Sequence, residues 1–379
     1  MSPRIALSAL QQRNFLTGTG RYIAEVFRAL PGQGPQHEFM LYLKKSQTGL
    51  YPTGGENARQ SVMEGCPDSP LGRILWEWRH FCRQLQRDEV DLYHGPSNFL
   101  PPKKVCPYVL TLHDMIYFRN PGRTGRIKAK YWHYYTYATW RKADLILTVS
   151  NYSVEEIRRF LPVPRERIRV VYNGVNPEYF IEAPADVRAE MRRATGLEAP
   201  YVLYVGRLDP DKNLVRLIES FARLVQSGNR EHVLVLAGAK DHRAEHLPRL
   251  AEKLGIADRV VFPGYVDQRF LTALYQEAAV FCYPSLNEGF GLPVAEAMAG
   301  GTPVVTSNTS SIPEVAGDAA IMVNPESVEE IAKGLAEALR PERGAELSEA
   351  GRERARRFTW EKSAQEHIAA YEEVLARQG

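Results

Sequence analysis

The sequence predicts an α/β protein of two doubly wound, Rossmann-like domains. Short aliphatic or β-branched runs alternate with amphipathic stretches along the whole chain, which is typical of parallel sheets with crossover helices. This alternation starts a second time near residue 200. In addition, the length of 379 residues exceeds what one hydrophobic core usually organises.

Eleven runs are predicted to be strands. Six lie in the first half, at residues 4–10, 38–43, 91–94, 108–113, 144–150 and 167–172. Five follow the restart, at residues 201–206, 232–238, 259–264, 279–285 and 302–307. The segment between the two series is rich in Pro, Ala and charged residues, and we interpret it as a linker that divides the chain near residues 175–195.

The predicted domains are residues 1–180 and residues 181–358, followed by a final helix over residues 359–379. One stripe of that helix is apolar or aromatic, with Trp360, Ala364, His367, Ile368, Tyr371 and Leu375. An amphipathic helix that follows a complete second sheet needs another surface to cover.

Composition places the chain among ordinary globular proteins, with 44% hydrophobic and 25% charged residues. It contains no run of eighteen apolar residues, and its opening turns polar too early for a signal peptide, so we expect a cytoplasmic protein. The four cysteines, Cys66, Cys82, Cys106 and Cys282, are far apart without a CxxC pair. This spacing argues against a disulfide framework and against a zinc site.

Charge is distributed unevenly along the chain. Residues 1–180 hold 25 Lys and Arg against 15 Asp and Glu, and the remainder holds 23 against 30. A basic first half is compatible with nucleic acid, an anionic membrane surface or a phosphorylated substrate, and equally with a solvated basic surface.

Residues 283–305, YPSLNEGFGLPVAEAMAGGTPVV, predict the end of a strand, a glycine loop and a helix. Pro293 suits the first turn of that helix, and Gly300 and Gly301 end it. The helix N-terminus then places backbone N–H groups and a positive dipole end at the carboxyl edge of the sheet, where open α/β folds bind ligands.

Two carboxylates flank this loop, since Glu288 precedes the glycine turn and Glu296 lies about one turn inside the helix. Carboxylates pair with hydroxyls and amides pair with phosphate, so the pocket suits a ligand that carries both, such as a nucleotide sugar. Taken alone, the pattern is better explained by a Glu296 that complements the helix dipole and a solvated Glu288.

Arg207 and Lys212 follow the first strand of the second domain, in the stretch YVGRLDPDKN. At that position they are able to converge on the same crevice and neutralise a diphosphate. A surface Arg and a helix-flanking Lys explain the pattern equally well. Asp209 and Asp211 form an Asp-x-Asp pair of the kind that holds Mg²⁺, but Pro210 makes a turn and the cations already supply the charge, so no metal is expected.

The first domain carries weaker signals. Gly18 and Gly20 lie in TGTGRY (residues 17–22) after the first strand, but the third glycine of a dinucleotide fingerprint is replaced by Ile23. His113 and Asp114 end another strand and point toward the carboxyl edge of the sheet. A lone histidine there is more often structural than catalytic.

Two segments of the first domain are both amphipathic and basic. Residues 71–87 are predicted to place Leu71, Ile74, Leu75, Trp78, Phe81, Cys82 and Leu85 on one helical face, with arginines among the polar positions. Residues 126–142 are basic and aromatic. Either segment suits an anionic bilayer or a lipid diphosphate, although packing on the sheet of its own domain is favoured. Nucleic acid is the weakest alternative, because no binding module accompanies the charge.

Taken in order, these clusters resemble the GT-B retaining glycosyltransferases of family 4, a group that includes bacterial mannosyltransferases of surface-polysaccharide assembly. The resemblance is strongest over residues 201–325. It depends on EGFGLPVAEAMAGGTPVV, in which seven residues separate Glu288 from Glu296, and on GRLDPDKN and VVYNGVN. The match is weaker in the first domain.

The resemblance implies a role for each matching residue. Arg207 and Lys212, next to Gly206, would bind the donor diphosphate, Glu296 the ribose hydroxyls and Glu288 the donor sugar. The remaining donor-binding positions are the amides of Gly289, Phe290, Gly291 and Leu292, together with His113, Gly18 and Gly20 from across the cleft. His113, Glu288, Arg207 and Lys212 form the implied catalytic set. The final helix would cross back to the first domain, and no metal or other cofactor would be needed.

We therefore expect a retaining hexosyltransferase that uses GDP-mannose, or a UDP-hexose as the second choice, and a saccharide acceptor that is lipid-linked or soluble. A lipid-linked acceptor would bring the protein to the inner face of the plasma membrane. A nicotinamide oxidoreductase should carry a complete G-x-G-x-x-G, which neither sheet has. A silent nucleotide-sugar-binding protein would share the pocket without turnover.

Overall fold

The computed structural model describes residues 2–12, 18–119, 126–239 and 244–377, and it divides the chain into two compact units. The first unit comprises Met1–Gly174 together with Trp360–Gly379, and the second comprises Val175–Thr359. Each unit contains its own parallel sheet with helices around it. The predicted α/β class with two Rossmann-like domains is therefore confirmed.

The first unit has a seven-stranded sheet in the order β3-β2-β1-β4-β5-β6-β7, and every pairing is parallel. Its strands are β1 Arg4–Ser8, β2 Glu38–Leu43, β3 Ala58–Val62, β4 Leu92–Gly95, β5 Tyr108–Thr111, β6 Leu145–Thr148 and β7 Ile168–Val170. Its helices are α1 Gly18–Gln33, α2 Pro70–Trp76, α3 Cys82–Arg87, α4 Ile116–Arg119, α5 Arg126–Trp140, α6 Asn151–Phe160 and, at the end of the chain, Trp360–Ala376.

The second unit has a six-stranded parallel sheet in the order β10-β9-β8-β11-β12-β13. Its strands are β8 Tyr201–Val205, β9 Val233–Ala237, β10 Val260–Gly264, β11 Val280–Tyr283, β12 Val304–Ser307 and β13 Ile321–Val323. Its helices are α7 Ala185–Thr195, α8 Leu214–Gln226, α9 Leu247–Lys253, α10 Gln268–Gln276, α11 Leu292–Gly300, α12 Ile312–Ala316, α13 Val328–Ala338 and α14 Pro341–Ala355. The final helix of the chain, Trp360–Ala376, is α15.

Every predicted strand is present, and two edge strands are additional. β3 has the polar sequence ARQSV and β13 has only three residues, so neither shows the apolar run of a central strand. Short or polar strands are what proteins place at sheet edges. The segment interpreted as a linker is also more ordered than expected, because Ala185–Thr195 within it forms helix α7 of the second unit, which buries Met191.

The strand order of each sheet reverses direction at one point, between β1 and β4 in the first unit and between β8 and β11 in the second. Ligands of open α/β sheets bind at the carboxyl ends of the strands that flank such a switch point. The loops that begin at residues 206 and 284 lie at this position in the second sheet. They contain the strongest motifs of the sequence.

The predicted single apolar face of residues 71–87 is wrong. Leu75 and Trp78 are 58% and 64% exposed, whereas Phe81, further along the segment, is buried. Between α2 and α3 the backbone forms a π turn, Glu77–Phe81, which adds a residue to the turn and rotates the following side chains.

Helix α15 belongs to the first unit, as predicted. The buried stripe is close to the prediction, with Trp360, Ala364, His367, Ile368 and Tyr371 inside, although Val374 takes the place expected for Leu375. Among the described residues, none of the helices has the length and apolar composition that crossing a bilayer requires.

Candidate functional site

Two loops of the second unit meet at the switch point, residues 206–213 after β8 and residues 284–291 after β11. The backbone N–H of Leu286 donates to the carbonyl of Asp211 at 3.0 Å, which joins the loops directly. The side chain of Asn213 donates to the carbonyl of Pro284 at 3.0 Å. Asn213 adopts a left-handed conformation, with φ 60°, which Asn tolerates better than most residues.

The loop after β11 is held by Ser310 and Ser311, the two residues that precede helix α12. The Oγ of Ser311 donates to the carbonyls of Glu288 and Phe290, at 2.9 and 3.0 Å. Gly291 has a φ of 108°, and a Cβ there would lie 2.6 Å from the side chain of Ile312, so only glycine fits. Helix α11 therefore begins at a fixed position, with its N-terminus at the carboxyl edge of the sheet.

Glu288 and Lys212 are 76 residues apart in sequence, and the fold brings them into contact. The Lys212 Nζ lies 2.5 Å from Glu288 Oε1, and the two side chains are only 19% and 13% exposed. The hydroxyl of Tyr283 donates to the same carboxylate oxygen at 2.8 Å. We call these three residues the charged cluster.

Electrostatics favour the ionised form of Lys212 in this cluster. Burial acts to lower the pKa of the Lys212 ammonium, but the neighbouring Glu288 carboxylate outweighs burial and the net shift is upward. Burial and the same carboxylate raise the pKa of Tyr283 well above its usual value, so its hydroxyl stays protonated and remains a donor.

Two tyrosines that no sequence motif indicated support the cluster. The ring of Tyr283 stacks on that of Tyr204, with centroids 5.6 Å apart and planes 8° from parallel. The Lys212 Nζ lies 5.6 Å from the centroid of the Tyr283 ring. One feature of the sequence could have indicated them, because both tyrosines occur at the ends of neighbouring central strands, β8 and β11.

Arg207 lies on the same loop as Lys212 but makes a different contact. Its Nη2 is 3.2 Å from Asp209 Oδ2, and its side chain is 60% exposed whereas that of Asp209 is 2% exposed. The other oxygen of Asp209 accepts from the backbone N–H of Asp211 at 3.0 Å, which caps the short turn of residues 210–212. Asp209 thus fixes the loop that carries both cations.

Glu296 is buried in α11, where its carboxylate accepts a hydrogen bond from the Tyr275 hydroxyl at 3.0 Å. Gly206 has a φ of 153°, and a Cβ there would lie 2.7 Å from the hydroxyl oxygen of Tyr204. Glycine at this position therefore lets Tyr204 donate to the carbonyl of Arg207 at 2.9 Å.

In the first unit, His113 lies just beyond β5. Its Nε2 is 2.8 Å from the carbonyl oxygen of Pro96, which can only accept, so Nε2 carries the proton in the neutral ring and Nδ1 carries the lone pair. The side chain of Asn98 accepts from the backbone N–H of His113 at 3.1 Å. Burial lowers the pKa of His113, which favours the neutral ring.

The glycines of the first motif lie at the start of α1. Gly20 is buried, whereas at Gly18 an added Cβ would meet no atom within 4 Å. Thr17, the first residue of that motif, lies outside the described residues. Within the described residues, no group of three or more His, Cys, Asp or Glu side chains is arranged to hold a metal ion.

Two Rossmann-like domains, each built on its own parallel sheet, are the architecture of the GT-B class of proteins. A family model described as Glycosyltransferase Family 4 matches residues 16–179, and one described as Glycosyl transferases group 1 matches residues 187–358. O-antigen chain mannosyltransferase B of Escherichia coli is 32% identical over 367 residues, which covers 94% of this chain and 96% of that protein. The chain therefore belongs to the family 4 glycosyltransferases, as the sequence motifs predicted.

Solved structures of low sequence identity share the fold. Sucrose-phosphate synthase from Thermosynechococcus elongatus superimposes with a TM-score of 0.81 at 22% identity, covering 99% of this chain and 100% of that one. Anabaena Alr3699/HepE in complex with UDP-glucose gives a TM-score of 0.73 at 18% identity, covering 97% of this chain and 98% of that one. Both confirm the predicted GT-B architecture.

Proposed function

We propose that the protein transfers a hexosyl unit from a nucleotide diphosphate sugar to a saccharide acceptor, with GDP-mannose as the donor. The observation that carries this proposal is the charged cluster. It sets a partly buried Lys212 ammonium at the switch point of the second sheet, beside the loop that leads into α11. A cation and a helix N-terminus at the carboxyl edge of a parallel sheet are suited to a diphosphate.

The charged cluster explains how a leaving diphosphate would be stabilised. The Lys212 ammonium has three N–H donors, of which Glu288 takes one, so two can serve phosphate oxygens. Arg207, on the same loop and 60% exposed, would add a second cation. Negative charge develops on the diphosphate as the glycosidic bond breaks, and fixed cations stabilise that state most.

The remaining predicted site residues take complementary roles in this proposal. Glu296 would bind the ribose hydroxyls, and the amides of residues 289–292 would meet the sugar and phosphate. From the first domain, His113 would contact a sugar hydroxyl through Nδ1, because Nε2 already donates to Pro96. Gly18 and Gly20 would allow the donor to approach the backbone.

We propose that transfer retains the anomeric configuration and proceeds by attack from the face of the leaving group. A double displacement would need a nucleophilic carboxylate, and Glu288 is the candidate nearest to the cations. Its Oε1 already accepts from Lys212 and from Tyr283, which lowers its nucleophilicity. No metal takes part in the proposed reaction, since Asp209 is committed to Arg207 and to the amide of Asp211.

The choice of mannose depends on the Escherichia coli relative, which is named as an O-antigen chain mannosyltransferase and is similar along nearly its whole length. A UDP-hexose is the alternative donor, supported by the UDP-glucose complex of the Anabaena structure. A silent nucleotide-sugar-binding protein would have the same pocket without turnover.

The donor is tested by incubating the purified protein with GDP-mannose and with UDP-hexoses, and measuring nucleotide release with and without saccharide acceptors. Release of GDP that depends on an acceptor supports the proposal, and release of UDP only would replace the donor. Binding of a nucleotide sugar without release in the presence of every acceptor would instead indicate a silent protein. The anomeric configuration of the product, read by NMR, tests retention.

A lipid-linked acceptor at the inner face of the plasma membrane is the acceptor class that we propose. Residues 71–87 of the first domain expose Leu75 and Trp78 together with Arg79 and Arg83, which combines apolar insertion with positive charge. A soluble saccharide acceptor would leave this surface without a role. Flotation with phosphatidylglycerol vesicles tests the contact, and equal flotation of wild type and Trp78→Ser would contradict it.

A further inference from the structure

Helix α15 is joined to the rest of the first unit by buried hydrogen bonds that start and end on α15 itself. The first bond joins the Tyr371 hydroxyl to His94 Nδ1 (2.7 Å), and the second joins His94 Nε2 to Thr111 Oγ1 (2.7 Å). Thr111 Oγ1 is then bonded to the Tyr22 hydroxyl (3.0 Å), which is bonded in turn to His367 Nε2 (2.7 Å). The last bond joins His367 Nδ1 to the Ser363 carbonyl (2.7 Å). We call this series the helix circuit. It passes through β4, β5 and α1.

With both histidines neutral, the donor and the acceptor of every hydrogen bond in the helix circuit are determined. The Ser363 carbonyl can only accept, so His367 donates from Nδ1 and accepts at Nε2 from the Tyr22 hydroxyl. Tyr22 then accepts from Thr111, and Thr111 accepts from His94 Nε2. His94 Nδ1 is left to accept from Tyr371, which closes the series.

Burial keeps both histidines neutral. His94 and His367 have no exposed surface, and burial lowers the pKa of each ring, to about 4 for His367. The titratable groups that face them are each other, Tyr22 from α1, Tyr371 from α15 and His113 from the loop after β5. None of these supplies a negative charge at neutral pH.

The helix circuit reaches the proposed donor site through Tyr22. The ring of Tyr22 meets the ring of His113 edge to face, with centroids 4.7 Å apart and an interplanar angle of 86°. The Tyr22 hydroxyl is held from two sides, by Thr111 and by His367. His113 is thus confined between a ring that the circuit fixes and the Pro96 carbonyl.

We infer that Tyr22 and His367 are positioning residues for His113, so that α15 sets the geometry of a donor-binding side chain that it does not carry. The inference rests on the proposed function, in which His113 contacts the donor sugar. Without the Tyr22 hydroxyl, the ring of residue 22 loses both anchors and can tilt. His113 would then lose the edge contact that limits its orientation.

The experiment compares Tyr22→Phe with Glu373→Gln by two-bond ¹⁵N–¹H NMR of the histidine rings. Glu373→Gln is the matched control, because Glu373 joins α15 to Arg169 at 2.6 Å outside the helix circuit. In the wild type, His367 should carry its proton on Nδ1 and His94 on Nε2, with neither ring titrating from about pH 8 to about pH 5.5. In Tyr22→Phe the His113 resonances should shift, whereas in Glu373→Gln they should not.

Turnover gives the second measurement. We expect Tyr22→Phe to lower kcat roughly ten- to hundredfold while leaving KM for the acceptor unchanged, and Glu373→Gln to retain wild-type kcat. Tyr371→Phe removes the hydrogen bond to His94 Nδ1 at the other end of the helix circuit. It should shift the His113 resonances less than Tyr22→Phe does. If Tyr22→Phe does not fold, the comparison of Tyr371→Phe with Glu373→Gln decides by the same resonances.

The opposite ring protonation of His94 or His367, or titration of either ring near pH 6.5, would overturn the helix circuit. His113 resonances that stay unchanged when the circuit is opened would overturn the positioning role. Failure of the proposed function is separate, because the wild type would then turn over no nucleotide sugar while the NMR comparison still gives its answer.

Discussion

The two units organise buried polar groups in opposite ways. The charged cluster of the second unit favours an ionised Lys212 ammonium, because the Glu288 carboxylate lies against it and raises its pKa. The helix circuit of the first unit keeps two histidines neutral, because both rings are fully buried and no group that faces them is negatively charged at neutral pH. The comparison shows that burial alone does not decide ionisation; the partner does. The first arrangement suits binding of a charged ligand, and the second suits holding a helix.

The comparison is tested most severely by removing the carboxylate of the charged cluster. Glu288→Gln keeps an acceptor for Tyr283 but leaves the partly buried Lys212 without a counter-charge. We expect the second unit to lose about 3 kcal/mol of stability, the lower end of the cost of breaking a buried pair, because the two side chains keep 19% and 13% of their surface exposed. Hydrogen exchange of strand β11 measures this loss.

The matched control is Glu329→Gln, because Glu329 and Lys333 form an exposed pair at 2.7 Å on α13. Water already solvates both of these charges, so exchange in β11 should not change. Equal effects of the two substitutions would show that the charged cluster behaves as a surface pair.

Lys212→Ala tests whether the cation serves catalysis. Loss of a charge-assisted interaction with the diphosphate should cost roughly 1.5–3 kcal/mol, or about ten- to a hundredfold in kcat/KM. Rates are measured with the donor that the wild type uses. Lys333→Ala, which removes an exposed lysine of the same unit, should retain wild-type rates. Wild-type rates in Lys212→Ala would exclude its assigned role.

Acid should weaken the first unit through the helix circuit. The pKa of His367 is lowered from 6.5 to about 4 in the folded state, so between these values the unfolded chain binds more protons. Stability is therefore complete above about pH 6.5 and falls as the pH decreases, by about 2 kcal/mol at pH 5 from His367 alone. His94 adds to the loss in the same direction.

Tryptophan fluorescence measures this effect in the first unit only, because all five tryptophans of the chain belong to it. Urea unfolding is followed at pH 7.5 and at pH 5. His367→Gln cannot titrate, so it should be less stable at neutral pH and less sensitive to acid. An unchanged pH dependence in that variant would contradict the assignment to His367.

The smallest expected effect is that of Tyr283→Phe. The substitution removes one of two donors to Glu288 and keeps the ring that stacks on Tyr204. Because Lys212 still pairs with the carboxylate, we expect a loss of about 1 kcal/mol in the stability of the second unit, again measured by exchange in β11. Tyr134→Phe, at an exposed position of the first unit, is the control. A loss as large as that of Glu288→Gln would show that the hydroxyl, not the ammonium, holds the cluster.

Sequence reasoning was sufficient for the fold because buried parallel strands are continuous apolar runs. It missed β3 and β13, whose sequences are polar or short, and it missed the π turn at residues 77–81, because a regular helical period was assumed. The placement of Arg207, Lys212 and Glu288 at strand ends followed from the same runs. Their roles in binding the donor remain predictions.

Pairings between distant residues were out of reach from one sequence. Nothing in the pattern indicates that Lys212 would contact Glu288 and not Glu296. Nor does it indicate that Tyr22, His94, Thr111 and His367 would be joined by hydrogen bonds. These contacts depend on side-chain directions that only the folded backbone sets. The tyrosines at the ends of β8 and β11 were visible in the sequence, but packing in the core explains a tyrosine in a buried strand as well as a role in the site does.

The return of α15 to the first unit also affects how the chain is made. Val175–Thr359 must be synthesised before α15 emerges, a delay of roughly ten to forty seconds at usual rates of translation. Until then His94 and Tyr22 lack their partners from α15, so the nascent first unit is incomplete on the ribosome. The first unit therefore completes its folding only after the whole second unit has been synthesised. Separate domains, in contrast, fold in order from the N-terminus.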